Sequence, residues 1–375
     1  MNLLFTQEQQ RGQGILKKAH GCILSFFFSS ITNGVHAMWK KILCLFALIC
    51  MLAAPAQARA GEKPKITIYT SMYEDVIEAM SNVLKKKFPA YDIEFFYGGT
   101  GTLQAKIAAE RDAKKLGCDM LMLADPSYAL ELKKDGILHA YLSKEAKNLA
   151  LEYDTEGYWY PVRICNMVLA YNPRKYKKAA LPQSFQEFAQ SATLKSACSM
   201  PNPLTAGTAL VSVSALKDKY GYAYFDQLAA NKIMVESGSV ALTKLETGEC
   251  KEIMILEESV LKKREEEKSP LEVIYPKDGC IIISSPIMTV KDSLSAHGNT
   301  KICEELTDWF LSEEGQRYIV KGWMHSVLQK EPAIPFDSMP TRQIIEKAIP
   351  VNWEHCLQER ADLRKNFEER VKKSR

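Results

Sequence analysis

The stretch Lys65-Ile66-Thr67-Ile68-Tyr69-Thr70 opens the part of the sequence that decides the fold, because its β-branched and aromatic residues predict a strand. Apolar residues then recur at helical spacing over residues 76–88, and residues 93–97 predict a second strand. A second amphipathic helix, around residues 103–108, precedes the largely apolar strand 119–124. This βαβαβ order implies a parallel sheet with helices on its faces, and therefore the α/β class.

A second series of strands and helices begins after Tyr158-Trp159-Tyr160-Pro161. Its predicted strands are residues 164–171, 197–200, 232–235, 253–256, 273–275 and 281–283. A helix is expected from about Thr205, and apolar residues at helical spacing over 302–310 predict a helical C-terminal part. Two α/β lobes joined by extended segments predict a ligand cleft between them, at the carboxyl ends of the strands.

The N-terminal segment has the pattern of a secretory signal. A positively charged start is followed by an apolar run over residues 42–54 and by small residues up to Ala60. This pattern predicts a signal peptide over residues 38–60, cleaved after Ala58 or Ala60, and hence an exported protein. We interpret residues 1–37 as an upstream extension that does not belong to the exported chain.

The composition argues against nucleic-acid binding and against catalysis. The formal net charge is only +4, and Lys and Glu alternate along the chain, so the sequence has no basic patch. GxSxG, HExxH, P-loop and CxxC motifs are all absent, and the six histidines are scattered, at His20, His36, His139, His297, His325 and His355. We therefore expect no enzyme, no cofactor and no metal.

Seven cysteines follow the predicted cleavage site, at Cys118, Cys165, Cys198, Cys250, Cys280, Cys303 and Cys356. An exported compartment permits disulfides, and the odd number leaves at least one thiol unpaired. We interpret most of them as small buried apolar residues.

Small and hydroxyl-bearing residues follow the strands of the first lobe. Ser71 with Glu74 fits a helix capping box, which is either a plain cap or part of an anion site. The turn Gly99-Thr100-Gly101-Thr102 links a strand to a helix, where backbone N–H groups can bind an anion. Asp125 before Pro126 is typical of a helix N-cap at the same edge of the sheet.

The second lobe repeats this pattern with further polar residues at strand ends. Asn202, Thr205 and Thr208 surround one helix start, and Ser237 begins another. Glu257 and Glu258 follow the strand 253–256, where they are either dipole partners of a helix or acceptors for ligand hydroxyls or an amine.

Five motifs, in this order and spacing, resemble the periplasmic solute-binding proteins of bacterial ABC importers, in the branch that includes ferric-ion, phosphonate and hexose-phosphate binders. They are Ile68-Tyr69-Thr70-Ser71, Gly99-Thr100-Gly101-Thr102, Leu123-Ala124-Asp125, Trp159-Tyr160-Pro161-Val162 and Phe310-Leu311-Ser312-Glu313-Glu314-Gly315-Gln316. The resemblance covers about residues 62–350. It implies a two-lobed type 2 periplasmic-binding-protein fold that closes around its ligand by a hinge. It also implies a periplasmic monomer that delivers a small anionic solute to an importer permease in the inner membrane.

The resemblance also implies how the chain divides into lobes. Residues 61–163 and 276–325 belong to lobe 1, which the chain rejoins after Tyr275, and residues 164–275 form lobe 2. We expect residues 326–375 to form C-terminal helices that pack on lobe 2.

One departure within the resemblance bears on the ligand. The ferric-ion binders place adjacent tyrosines where this chain has Glu257-Glu258-Ser259, so the resemblance is closest to the hexose-phosphate binders. We therefore expect a phosphorylated or phosphonate-type solute, for example a sugar phosphate. The alternatives are a ferric-ion binder of the same fold, a secreted phosphate-ester hydrolase and an interaction module without a transported ligand.

The strand ends suggest a binding mode. The anionic head would lie against Ser71 and the turn of residues 99–102, held by neutral donors without any Lys or Arg. The rest of the ligand would point to lobe 2, toward Asn202, Thr205, Thr208, Ser237 and one of Glu257 and Glu258.

Overall fold

The computed structural model describes residues 63–372, and within them ten strands form one mixed sheet with the order β2-β1-β3-β10-β5-β8-β6-β7. Two short strands lie outside this path, β4 beside β10 and β9 beside β5. The strands are β1 Lys65–Thr70, β2 Asp92–Tyr97, β3 Met120–Met122, β4 Leu138–His139, β5 Tyr160–Tyr171, β6 Cys198–Pro201, β7 Met234–Glu236, β8 Glu252–Leu256, β9 Glu272–Ile274 and β10 Ile281–Val290.

The first three strands confirm the predicted parallel arrangement. β1 pairs in parallel with β2, from Lys65 opposite Asp92, and with β3, where Ile68 lies opposite Met120. Ile66 and Ile68 are fully buried, as the apolar positions of this strand predict. Beyond β3 the sheet becomes mixed, because β10 joins it in the antiparallel direction.

Two long strands link the halves of the sheet. β10 pairs with β5 from Ile281 to Ile287 and with β3 from Ile287 to Thr289. Every residue of β5 is buried. The predicted strands 164–171 and 281–283 were too short. Each observed strand includes a proline, which lacks a backbone donor and therefore argues against a strand in the sequence. In β10 the pairing also shifts register between Ser285 and Pro286.

Helices cover both faces of the sheet. They are α1 Glu74–Lys87, α2 Thr100–Asp112, α3 Pro126–Lys134, α4 Phe185–Gln190, α5 Gly207–Tyr220, α6 Ala223–Ala230, α7 Gly238–Thr247, α8 Glu257–Glu266, α9 Thr300–Leu311, α10 Glu313–Lys321, α11 Thr341–Glu346, α12 Trp353–Gln358 and α13 Arg360–Phe367. One apolar cluster lies in the half of the sheet with β1 to β3, around Ile68 and Phe310, and another lies in the half with β6 and β8, around Phe185 and Phe225.

The C-terminal helices contact both halves. α13 packs on α5, and α12 packs on α5 and also on α3, which belongs to the first half. Arg360 at the start of α13 forms an ion pair with Glu131 of α3, with 2.5 Å between nitrogen and oxygen. The C-terminal helices thus contact α3 of the first half in addition to the second half, on which they were predicted to pack. The lobe boundaries given above remain a prediction.

Three further sequence predictions concern export and the cysteines. All seven cysteines from Cys118 to Cys356 are buried, as their interpretation as small apolar residues requires. The predicted signal peptide and upstream extension lie outside the described residues. In the part of the chain that the structure describes, we find no helix that is both long and apolar enough to cross a membrane.

Candidate ligand-binding cleft

A cavity of about 490 Å³ lies between the two halves of the sheet, at the carboxyl ends of the strands. Its lining comes from residues that follow β1, β2, β3, β6, β7 and β8, and from two side chains of the linking strand β5. The predicted residues along its wall are Ser71, Gly99, Thr100, Asn202, Thr205, Thr208, Ser237 and Glu258.

Ser71 does not cap a helix, so the predicted capping box with Glu74 is wrong. α1 begins at Glu74, and its N-cap residue is Tyr73, which forms no side-chain cap hydrogen bond. The Ser71 Oγ instead accepts from the Ala124 backbone N–H at 3.3 Å and from Arg163 Nη2 at 3.0 Å. Because a hydroxyl has two acceptor sites and one donor, these bonds leave its hydrogen available for a ligand.

Thr100 begins α2 at the cavity wall. Its side chain is buried, and its Oγ1 accepts from the same Ala124 N–H, at 3.3 Å. The first turn of α2 contains no acidic residue, so no carboxylate of that turn neutralises its free N–H groups and the positive end of the helix dipole.

The starts of α2 and α5 touch across the cavity. A Cβ atom at Gly101 would lie 2.6 Å from the Thr205 carbonyl oxygen, and one at Gly207 would lie 2.6 Å from Thr100 Cγ2. Only glycine therefore allows this approach, and the two halves meet around the cavity.

Arg163 of β5 places a buried positive charge at the cavity. The residue is 2% exposed; its Nη2 donates to Ser71 and its Nη1 contacts Met324 Sδ at 3.1 Å. Its Nε has no partner, and within residues 63–372 the guanidinium forms no ion pair with a carboxylate. A buried cation without a carboxylate in ion-pair contact is costly, so this arrangement favours an anion in the cavity.

The two adjacent glutamates at the start of α8 point in different directions. Glu258 lines the cavity and is 2% exposed, and burial raises its pKa to about 7 against the opposing effects of its own backbone N–H and of Arg163. Glu257 is absent from the cavity lining and lies in a closed polar cluster, so Glu258 is the glutamate that faces the cleft.

Glu257 is surrounded by hydrogen-bond donors. It accepts from Asn166 Nδ2 at 2.7 Å, from Ser338 Oγ at 2.7 Å, and from the Tyr275 hydroxyl, and His325 Nε2 lies 2.9 Å from it. Although burial alone would raise its pKa, the contacts with His325, Tyr275 and Ser338 hold the pKa of Glu257 below its ordinary value. We call these five residues the Glu257 cluster.

Residues 118–345 match the model of a family described as bacterial extracellular solute-binding proteins. The chain belongs to this family. Its members are solute-binding proteins described as extracellular, which implies a periplasmic location for this solute-binding protein. A comparison with curated proteins gave no match.

Solved structures show the same two-lobed fold. The periplasmic binding protein AfuA from Actinobacillus pleuropneumoniae, with exogenous fructose-6-phosphate bound, has 21% identity and a TM-score of 0.69, over 82% of this chain and 98% of AfuA. Iron-bound HitA from Pseudomonas aeruginosa has 19% identity and a TM-score of 0.70, over 81% of this chain and 99% of HitA. The substrate-binding protein of an ABC transporter from Agrobacterium tumefaciens has 16% identity and a TM-score of 0.72, over 84% and 97%. At these identities they show the fold alone.

Four predicted residues of the solute-binding protein lie outside the cavity lining. Besides Glu257, these are Gly101, which packs against Thr205, the exposed Thr102, and Asp125. The Asp125 carboxylate is buried and accepts from Gln104 Nε2 at 2.8 Å and from Ser127 Oγ at 2.5 Å. These contacts account for Asp125 without a ligand.

Sequence reasoning missed Arg163, because β5 was predicted to start at residue 164. One available signal was the single charged residue directly after Trp159-Tyr160-Pro161-Val162, at the edge of an apolar strand. Tyr73 and Glu236 also line the cavity and were not predicted. Among the described residues, no three His, Cys, Asp or Glu side chains are grouped to hold a metal ion.

Proposed function

We propose that this solute-binding protein captures a small phosphorylated or phosphonate-type solute in the cleft and delivers it to an ABC importer permease in the inner membrane. The observation that carries the proposal is Arg163, a buried guanidinium at the cavity whose charge no carboxylate of the described chain neutralises in an ion pair. A guanidinium suits the planar, bidentate recognition of phosphate oxygens.

Three groups would bind the anionic head together. Arg163 and Ser71 are already hydrogen-bonded to each other, and Thr100 shares the Ala124 N–H with Ser71. The head would therefore contact the guanidinium, the hydroxyls of Ser71 and Thr100, and the first N–H groups of α2. This proposal adds a charged donor to the neutral donors that the sequence suggested, and the neutral donors keep their proposed role.

The far end of the solute would contact the second half of the molecule. Asn202, Thr205, Thr208 and Ser237 line that side of the cavity with amide and hydroxyl groups, which suit the hydroxyls of a sugar phosphate. The fructose-6-phosphate bound to AfuA supports this class of solute.

Closure would occur about β5 and β10, which are the strands shared by both halves of the sheet. The contact between Gly101 and Thr205 would form only in the closed state, with the solute enclosed. The permease would then recognise the closed form, whose population rises as the solute binds.

A ferric-ion binder of the same fold is the second candidate, because Tyr73 and Glu258 supply oxygen atoms along the cavity and HitA is iron-bound. Two observations favour the anion. The Tyr73 hydroxyl bonds to Ser259 Oγ at 2.7 Å, and burial raises the Tyr73 pKa far above its ordinary value, which disfavours a phenolate ligand. Arg163 would also repel a cation.

A thermal-shift panel tests the proposal. Purified protein is mixed with sugar phosphates, phosphonates, inorganic anions or ferric salts, and Tm is measured. A solute at 100 times its Kd stabilises the folded state by about 2.7 kcal/mol. We expect this stabilisation from at least one phosphorylated or phosphonate compound, and no visible absorption band with iron. Stabilisation by iron alone, with a visible band, would establish the second candidate instead.

A further inference from the structure

Glu258 is a buried carboxyl group that the cavity leaves without a cationic partner in contact. It is 2% exposed, and within residues 63–372 it forms no ion pair. Its polar contacts are the Cys165 thiol, which lies two positions from Arg163 on the same strand, and its own backbone N–H. Because each of these is a weak or single donor, most of the acceptor capacity of an ionised carboxylate would stay unused.

Of the charged groups around Glu258, Arg163 is the one that stabilises its negative charge, and the Cys165 thiol adds one hydrogen bond. Glu257 on the same helix acts in the opposite direction, and the Tyr73 hydroxyl at the start of α1 is neutral. Of the other charged residues of the cavity lining, Glu236 is paired with Lys244, Lys263 with Glu246 and Glu267, and Lys262 with Asp75 and Glu266. An anion bound to Arg163 would thus neutralise the charge that favours ionised Glu258, and its own negative charge would repel the carboxylate.

This inference rests on the proposed function and specifies the chemistry of its site. We propose that Glu258 takes up a proton when the anionic solute binds, and that its neutral carboxyl group then donates a hydrogen bond to the solute. The protein would therefore select solutes that present an acceptor oxygen to Glu258, and it would disfavour solutes that present an ammonium group there.

The sign of the pH dependence follows from the ionisation of Glu258 before the solute binds. Burial raises the pKa of Glu258 to about 7 although Arg163 lowers it, so above neutral pH the carboxyl is largely ionised before binding. A bound anion opposes ionisation and raises the pKa further. Affinity therefore falls as pH rises above about 7, by at most about tenfold per pH unit for one proton, until the pH reaches the pKa of the bound state.

Isothermal titration calorimetry measures this proton directly. Wild type, Glu258→Gln and Glu78→Gln are titrated with fructose 6-phosphate and with inorganic sulfate at about pH 8, in two phosphate-free buffers of different ionisation enthalpy. Comparison between proteins cancels the titration of the sugar phosphate itself, and sulfate does not titrate in this range. Glu78 is exposed on α1 and is the matched control.

We expect wild type and Glu78→Gln to take up about one-half to one proton more than Glu258→Gln, whose affinity would also lose its pH dependence above neutral pH. Equal proton numbers in wild type and Glu258→Gln, with both proteins binding, would overturn the inference and leave the anion site standing. Proton release on binding to the wild type only would overturn it as well, by showing an ionised Glu258. Absence of binding of both probes to all three folded proteins would overturn the proposed function and the inference with it.

Discussion

Glu257 and Glu258 are neighbours in the chain and are both buried, yet their surroundings differ completely. Glu257 meets four hydrogen-bonding side chains in the Glu257 cluster, whereas Glu258 faces the cleft with a thiol and a backbone N–H. Burial shifts both pKa values upward, and only the donors around Glu257 reverse the shift.

This difference separates a structural from a ligand-binding carboxylate. A buried charge whose hydrogen bonds are complete stabilises the fold when its partners are present, and its removal is costly. A buried charge whose partners are incomplete contributes little to the fold, and its remaining capacity is available to a ligand. The same criterion identifies Arg163, whose Nε has no partner.

The largest expected effect is on stability, at Glu257. Glu257→Gln removes the charge that His325, Tyr275 and Ser338 contact, so we expect a loss of about 3–5 kcal/mol in the free energy of unfolding, measured by urea denaturation at neutral pH. Because the folded-state pKa of Glu257 is lowered, its contribution is present above its unfolded value of 4.5 and is lost as pH falls through the folded value.

Glu258→Gln is the matched control for this prediction. It lies one residue away and is equally buried, but it leaves no cluster of donors unpaired, so we expect a change below about 1 kcal/mol. If both substitutions cost the same, the distinction between the two glutamates is wrong.

The next largest effect is on binding, at Arg163. Arg163→Met removes the cation that faces the solute and keeps an apolar chain of similar length, so we expect affinity for a phosphorylated solute to fall about 30- to 1000-fold, equivalent to about 2–4 kcal/mol. Because the charge is buried without an ion-paired carboxylate, the free energy of unfolding should stay the same or rise. Calorimetry and urea denaturation of the one variant measure both quantities, and a large loss of stability would show that Arg163 is structural.

Ser71 and Thr100 should have smaller effects on binding. Replacement of either by Ala removes one hydroxyl near the anion, and a hydrogen bond to a charged group contributes about 1.5–3 kcal/mol, so we expect affinity to fall about ten- to a hundred-fold. Thr102→Ala is the control, since Thr102 lies on the same helix but is exposed outside the cavity. Equal affinities for all three variants and the parent would show that Ser71 and Thr100 do not contact the anion.

Glu252 extends the comparison to a third buried glutamate, and its effect should be the smallest. Both of its carboxylate oxygens lack a partner, and burial, followed by the charge of Glu187, raises its pKa to about 9. The folded state therefore favours the neutral form, and the stability this provides is complete below pH 4.5 and is lost as pH rises toward 9. We expect Glu252→Gln to leave the free energy of unfolding nearly unchanged at acid pH and to raise it by about 1–2 kcal/mol at about pH 8. A destabilised variant at pH 8 would indicate that Glu252 is ionised and paired.

The sequence predicted β1, β2 and β3 well, because their apolar and β-branched residues follow one another locally and the helices between them have clear spacing. It did not predict the full length of β5 and β10, since Pro161 and Pro286 interrupt the local pattern while long-range pairing continues it.

The polar side of the site was predicted in part. Strand ends identified Ser71 and Thr100, but the rotation of α8 decides which glutamate faces the cleft, and sequence alone does not give that rotation. Arg163 depends on contacts with Ser71 and with Met324, residues far from it in the chain, so no local pattern shows its burial.

The most direct test of the central claim is a crystal structure of the protein with the phosphorylated solute that raises Tm most. We predict that the phosphate lies within hydrogen-bond distance, about 3 Å, of the Arg163 guanidinium, the Ser71 Oγ and the backbone N–H of Thr100, with the rest of the solute toward Glu258. A phosphate bound elsewhere, or a metal ion coordinated by Glu258 and Tyr73 in this cavity, would contradict the account.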